Sequence, residues 1–430
     1  MDNTSFQGSV LAPVAASDRI QLLDILRGFA LLGIFLMNIE FFSRSLQDLS
    51  TGIDPGLSGL DWLADAFVYT FVTGKFWTLF SLLFGMGFAV MLSRAQVAGR
   101  RFVPMYLRRT FGLLVIGLAH ALLLWSGDIL VSYALTAFVL LAFRNVRVSR
   151  LWKWGALFYG VLVMLLLLGA AGMAAMAADP GAQAAASSAG ADAASMAASI
   201  SASREAEIAA YASGSYFEAN AFRLVHFLHN ITNTFFLLPM VLGMFLVGAW
   251  LVRSGAMADP AGHRRLFARL AWWGGGAGLA ITLWSIAIAP DPVVDPAVPG
   301  GAGQIAGMAL HMAGAPLMAL GYIGLGVLAW QGGARWLGVL APAGRMALTN
   351  YLLQSLVGTM LFYGYGLGMW GDVSRAGQTL IVLVVFALQV AASHWWLARF
   401  RFGPLEWLWR TFTYLRRPPM RRSVMRRSVA

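Results

Sequence analysis

The 430-residue sequence contains no cysteine. Disulfides, thiolate metal sites and a cysteine nucleophile are thereby excluded. Charge is scarce as well. Asp, Glu, Lys and Arg make up 12% of the chain, against about 25% in an ordinary soluble domain. With 59% hydrophobic residues and a mean hydropathy of +0.69, a soluble fold of this length could not cover its surface. The chain reads as a polytopic membrane protein. It also lacks any GxGxxG, Walker or zinc-protease signature. Residues 1–17 carry no basic stretch ahead of an apolar core, so no cleaved signal peptide is expected and the first apolar run should remain as a helix.

What is present is a surplus of arginine. The net charge is +12, which on a soluble chain would suggest nucleic acid. Here the basic residues stand in short clusters between apolar runs, the pattern that sets membrane topology. A helix needs about 20 apolar residues to cross the hydrocarbon. Ten spans are expected, near 22–42, 76–92, 107–125, 129–143, 151–174, 231–252, 266–289, 306–330, 346–369 and 379–397. Alternate loops are basic, holding Arg94, Arg100, Arg101, Arg144, Arg147, Arg150, Arg264 and Arg265, and the tail is rich in arginine. The opposite loops hold Asp48, Asp54, Asp61, Asp65, Asp128, Glu205, Glu207, Glu218, Asp291, Asp295 and Asp372. This alternation predicts an all-α integral membrane bundle of about ten helices with both termini cytoplasmic. The expected divisions are a cytoplasmic segment 1–21, a five-span bundle 22–174, an outer loop 175–230, a second five-span bundle 231–398 and a basic tail 399–430. The Ala- and Ser-rich outer loop reads as an exposed or interfacial helical excursion. Residues 83–95 and 242–256 echo one another weakly, which fits either duplication or the convergence of glycine-rich packing helices.

Polar side chains inside spans are costly and mark functional candidates. Asp24, Arg27 and Asn38 share one face of the first span, with Asn38 about 21 Å beyond Asp24 along the axis. Asp24 and Arg27 are also placed for an i,i+3 pair that anchors the helix. Near the outer end, His120 is followed by Asp128 across a short turn at Gly127. A histidine polarised by a carboxylate makes a general base for a hydroxyl or amine. It is equally what a buried, backbone-bonded histidine looks like. His226, His229, Asn230 and Asn233 form a stripe entering the sixth span, and His311 is expected in the same outer layer. Two histidines three apart without a carboxylate do not make a metal site, and none is expected. The inner layer collects Arg345, Thr349, Asn350 and Gln354, then Ser393, His394 and Glu406. Arginines there suit phosphate groups.

Four stretches together resemble the YeiB-like family of bacterial membrane proteins. They are residues 23–34 (LDILRGFALLGI), 75–85 (KFWTLFSLLFG), 120–134 and 344–355 (GRMALTNYLLQS), the last followed by 403–410 (GPLEWLWR). The C-terminal half of that family is a domain of unknown function. The Leu26-Arg27-Gly28-Phe29-Ala30 segment also resembles, more distantly, the first helix of transmembrane acyltransferases. Those include bacterial O-acyltransferases and the lysosomal heparan glucosaminide acetyltransferase. This second resemblance implies a ten-helix bundle passing an acyl group from cytoplasmic acyl-CoA to a sugar on the far side. Where the bacterial pattern carries its histidine, eleven residues after the arginine, this chain has Asn38, and residues 41–60 hold no histidine.

The leading expectation is therefore a multi-pass acyltransferase of the bacterial inner membrane. His120 with Asp128 would be the base and Asn38 an oxyanion donor. Arg27, Arg108, Arg109, Arg345, Asn350 and Gln354 would face acyl-CoA, the co-substrate, with no tightly bound cofactor. The expected partners are the lipid bilayer, an extracytoplasmic glycan or lipid acceptor, and a second copy of the chain. The competing expectation is a transporter or lipid-handling protein whose polar face lines a pathway, with Pro239 and Pro316 as helix breaks.

Overall fold

The computed structural model describes residues 21–45, 52–179, 181, 190–289 and 301–422, without the side chains of 190–194, 196–197, 229–234 and 236. Asp48, Asp291 and Asp295, and the side chains of His229, Asn230 and Asn233, lie outside the described residues. Everything regular in the described chain is helical, as an apolar solvent demands, because each backbone N–H and C=O must find its partner within the segment.

Fourteen helices organise the described residues. They are α1 (Gln21–Ser43), α2 (Gly59–Phe71), α3 (Lys75–Val97), α4 (Phe102–Leu123), α5 (Leu130–Leu140), α6 (Val148–Ala178), α7 (Gly190–Ile208) and α8 (Tyr216–Arg253). They continue with α9 (Arg264–Ile288), α10 (Ala302–Gln331), α11 (Ala341–Arg345), α12 (Ala347–Phe362), α13 (Arg375–Arg399) and α14 (Pro404–Tyr414).

Among the described residues, seven helical stretches are long and apolar enough to cross a membrane: α1, the α2–α3 stretch 59–97, α4, α6, α9, α10 and α13. Of the other three expected crossings, residues 130–145 form a short apolar helix, and 231–252 lie within the long helix α8. The ninth expected span is reduced to the 16-residue α12, which carries Thr349, Asn350, Gln354, Ser355 and Thr359. The sequence reading also missed α2. Asp61 and Asp65 made that stretch look like an acidic loop, whereas both carboxylates bind the start of α13: Asp61 accepts the Ala376 N–H and Asp65 pairs with Arg375.

α1 runs through the middle. Of its apolar window 78% is buried, against 11% for α6, which faces outward. Asp24, Arg27 and Asn38 therefore do look into protein. Helices meet where small residues let backbones approach, the usual device in lipid. A Cβ on Gly344 would strike the Asp24 carbonyl oxygen, and one on Gly28 that of Leu340, which locks α11 and the turn before it onto the start of α1. Gly278 and Gly314 face one another across α9 and α10, each with the other's carbonyl oxygen 2.8 Å from its missing Cβ.

The bundle has two chemically distinct ends. Arg27, Arg109, Arg345 and Arg410 mark the basic end, where α1, α4 and α12 begin. Glu40, Asp54, Asp65 and Asp128 mark the acidic end. The outer loop contains a helix, α7, and most of its described side chains are exposed. Its far end is anchored, however. Glu207, Tyr211 and Arg223 are buried, and they join the segment to the acidic end of the bundle.

Candidate functional site

The turn between α4 and α5 places His120 beside Asp128, Nδ1 to Oδ1 at 2.7 Å. Gly117 makes this approach feasible, because a Cβ there would lie 2.8 Å from the Val131 nitrogen. The other Asp128 oxygen accepts the Val131 N–H at 2.7 Å, so the carboxylate is fixed at the start of α5. Both side chains are sealed, at 0% and 1% exposure. With Nδ1 on the carboxylate, Nε2 points the opposite way and has no hydrogen-bond partner. It lies among aromatic rings: Tyr351 at 5.3 Å and Trp125 at 6.2 Å between centroids. The arrangement is that of a base held in one tautomer by an acid.

Asn38 is buried on α1 one turn before Phe42. Phe42 packs on Trp125 at 4.4 Å, and Trp125 is the neighbour of His120. The Asn38 side chain makes no hydrogen bond among the described residues.

A cap closes the chamber. Tyr211 hydroxyl lies 3.4 Å from Ser126 Oγ in the turn, and the Tyr211 carbonyl accepts the Gly364 N–H. Arg223, fully buried, donates to the Leu123 carbonyl at 3.2 Å and to the Tyr365 hydroxyl at 2.8 Å. Four tyrosine rings, 211, 216, 363 and 365, surround its guanidinium at 5.6–5.8 Å. Glu207 binds the Ser45 hydroxyl at the end of α1. Burial pushes the Tyr211 hydroxyl up to about 12, so it stays protonated.

The basic end gathers the expected arginines only in part. Arg27 pairs with Asp24 at 2.9 Å. Arg109 lies flat on Trp409 at 3.7 Å, and the cations of Arg410 and Arg27 both act on it. Arg27, Arg109 and Arg410, all half-buried, thus share this end of the bundle. Arg108 is diverted to the Thr413 carbonyl at 3.0 Å, holding α14. Asn350 and Gln354 belong elsewhere. Asn350 donates to the Ala343 carbonyl and to Ser393, and Gln354 donates to Gln389, whose own amide donates to the Asn350 carbonyl. This amide ladder joins α12 to α13. Glu406 does not face the arginines either. It accepts the N–H groups of Leu348 and Thr349 and the Thr349 hydroxyl, capping the N-terminus of α12. Burial raises its carboxyl above the ordinary range, while those donors pull the other way.

His311 makes its contacts apart from His120. It sits against Lys75, Nε2 to Nζ at 3.3 Å, and stacks on Tyr69 at 4.4 Å. The reason is a break between α2 and α3 at 72–74. Gly74 turns the chain at φ +80°, a conformation glycine adopts freely. The break leaves carbonyls at the end of α2 without intrahelical partners. Lys75 takes the one on Tyr69 at 3.0 Å, His311 faces the one on Thr73 at 3.1 Å, and Tyr322 takes the one on Phe71 at 2.7 Å. The amine donor satisfies one of these carbonyls, which accounts for a fully buried lysine beside the Phe76 ring that fills the space at Gly33 of α1. Pro239 and Pro316, expected as breaks, lie inside continuous helices.

Sequence reasoning also missed Arg375. Its guanidinium reaches Glu40 at 3.0 Å, Asp65 at 2.9 Å and Gln378 at 3.2 Å. Arg44 holds the other Glu40 oxygen at 2.8 Å. Glu40 and Gln378 stand 338 positions apart, so no local spacing joins the α1 part of this cluster to the α13 part.

The fold can be set beside known proteins. Residues 251–416 match the family described as Protein of unknown function (DUF418). The chain is 35% identical over 430 residues to the Uncharacterized protein YxaH of Bacillus subtilis (strain 168), covering 96% of this chain and 98% of that one. It is 34% identical over 415 residues to the Uncharacterized protein YeiB of Escherichia coli (strain K12), covering 92% and 96%. A 39.9 kDa protein from the amylase 3' region of Bacillus acidopullulyticus is 27% identical over 414 residues, covering 95% and 97%. No solved structure matches. Identity at this level, sustained from end to end, places this multi-helix membrane protein in the YeiB-like family that carries the DUF418 domain.

Proposed function

We propose that this protein is a transmembrane acyltransferase of the bacterial inner membrane. In this reading it crosses the bilayer ten times, the basic end and both termini are cytoplasmic, and the acidic end faces out. One observation carries it: α4 holds Arg109 at one end and, at the other, His120, whose Nε2 has no hydrogen-bond partner. Arg109 and His120 lie about 16 Å apart along α4. Acyl-CoA would place its phosphates at Arg27, Arg109 and Arg345, with Arg108 behind them, and extend its thioester toward the amides of α12. Asn350 and Gln354 then shape the wall.

At the acidic end, His120 Nε2 takes the proton of an acceptor hydroxyl or amine. The acceptor atom bonds to the thioester carbonyl carbon, and the resulting oxyanion receives a hydrogen bond from Asn38. The intermediate expels the thiolate, which takes the proton back from His120. Asp128 stabilises the imidazolium meanwhile. The acceptor is an extracytoplasmic glycan or lipid, and a homodimer is compatible with the outward apolar faces. Because His120 is sealed in this structure, the acceptor enters only when the cap of Tyr211 and Arg223 moves. The test is acyl transfer from acetyl-CoA and long-chain acyl-CoA by purified protein. Normal transfer by both His120→Ala and Asp128→Asn would remove the site.

A second reading, transport, draws on the broken α2–α3 helix. Discontinuous helices with buried ions are common at transport sites, and Lys75 with His311 occupies such a break. Uphill accumulation of an unchanged substrate in vesicles, abolished by Lys75→Gln, would favour it over group transfer.

A further inference from the structure

The chain folds back after α13. The Arg401 N–H donates to the Met420 carbonyl and the Arg422 N–H to the Arg399 carbonyl, so residues 418–422 run beside the end of α13 while α14 lies across them. Between them is an apolar groove of about 460 Å³ lined by Trp396, Pro404, Leu405, Trp407, Leu408 and Met420. That is within the roughly 300–1,000 Å³ range of small-ligand sites. Its polar atoms are already used. The Trp396 indole donates to the Phe402 carbonyl and the Trp407 indole to the Pro418 carbonyl, both at 2.8 Å. The rings are left to offer only carbon.

The rim is opposite in character. Residues 399–422 hold seven arginines and one acid, Glu406, and that carboxylate is turned inward onto α12. Arg401, Arg416, Arg417, Arg421 and Arg422 are exposed, and none of them forms an ion pair among the described residues. An apolar groove edged by unpaired arginines, next to the end of a membrane helix, matches the two parts of one molecule. Alkyl chain suits the tryptophans, and a phosphate suits the arginine fork.

We propose that this groove binds an anionic phospholipid of the surrounding leaflet, its acyl chain along Trp396, Leu405 and Leu408 and its phosphate at Arg421 and Arg422. The site is separate from the acyl-donor site proposed above and does not depend on it.

Native mass spectrometry tests this on the full chain, released from micelles containing equal phosphatidylglycerol and phosphatidylethanolamine. Preferential retention of phosphatidylglycerol is expected. The double variant Arg421→Ala/Arg422→Ala should lower that retention by roughly tenfold, and Leu408→Asn should lower it for chains of both headgroups. All variants must elute as the wild type does, and Arg421→Lys/Arg422→Lys should restore most of the retention if the protein is folded. Equal retention of the two lipids by wild type would overturn the proposal. So would unchanged retention in both Arg421→Ala/Arg422→Ala and Leu408→Asn. A rise in retention on deleting residues 423–430 would assign the groove to the tail instead.

Discussion

Gly85 of α3 and Gly248 of α8 pack reciprocally. The missing Cβ of Gly85 points at the carbonyl oxygen of Phe245, three residues before Gly248, and that of Gly248 points at the carbonyl oxygen of Leu82, three residues before Gly85. Phe84 and Phe245 stack beside the contact at 4.5 Å. The two segments that echo one another in sequence are thus the two sides of one interface. Close packing accounts for the likeness of their glycine pattern, since each helix must present a notch to the other's backbone.

Leucine at either glycine should force α3 and α8 apart. Overpacking a core costs roughly 1–3 kcal/mol, and here backbone rather than side chain would have to move. Gly85→Leu and Gly248→Leu should each lower the unfolding temperature in detergent, and the double variant should cost less than their sum. Wild-type temperatures for both would contradict the contact.

His120→Ala should abolish acyl transfer, a loss of about 10²–10⁴-fold. Asp128→Asn should approach the same loss by releasing the imidazole tautomer. Both should elute as folded protein. Rates are to be measured with saturating acyl-CoA, so that binding at the basic end is not limiting.

Arg375→Ala leaves Glu40 and Asp65 buried without their shared cation. Stranding buried charge costs roughly 3–5 kcal/mol, so this variant should be far less stable than Arg44→Ala, whose guanidinium is 24% exposed. Adding Glu40→Gln to Arg375→Ala should recover part of the loss. Thermal unfolding of the four proteins decides it.

Glu406 makes stability depend on pH. Its folded carboxyl binds protons more tightly than the free side chain, from burial. The stability it contributes is therefore complete below the ordinary value of 4.5 and is lost as pH rises through the folded value. Glu406→Gln removes that slope. The melting temperature of the variant relative to wild type should climb as pH is raised from 4.5. A difference that stays flat or falls would show that the donors of Leu348 and Thr349 outweigh burial.

Arg223→Gln should loosen the cap without unfolding the bundle, because the guanidinium joins the Leu123 carbonyl to Tyr365 and fills the tyrosine box. Hydrogen exchange should quicken in 207–223 and 363–370 and stay slow in α1. Uniform quickening would mean that Arg223 supports the whole fold.

The sequence alone determined the class of this protein. Too few charges to cover a surface, and apolar runs punctuated by arginine, allow only a helical membrane bundle. It also determined the pairing of His120 with Asp128, because eight residues and one tight turn separate them. Local spacing likewise gave the Asp24–Arg27 pair. Other features came only from tertiary structure. Hydropathy did not show how short and polar the helix of the ninth apolar run, α12, is. Nor could it see that Asn350 and Gln354 bond across to α13, that His311 meets Lys75 at a broken helix, or that Arg375 collects carboxylates from two other helices. Each of these rests on contacts between residues tens to hundreds of positions apart. In a membrane such contacts are chosen by which backbones can come close and which buried polar groups still need a partner, and neither is written in the local pattern.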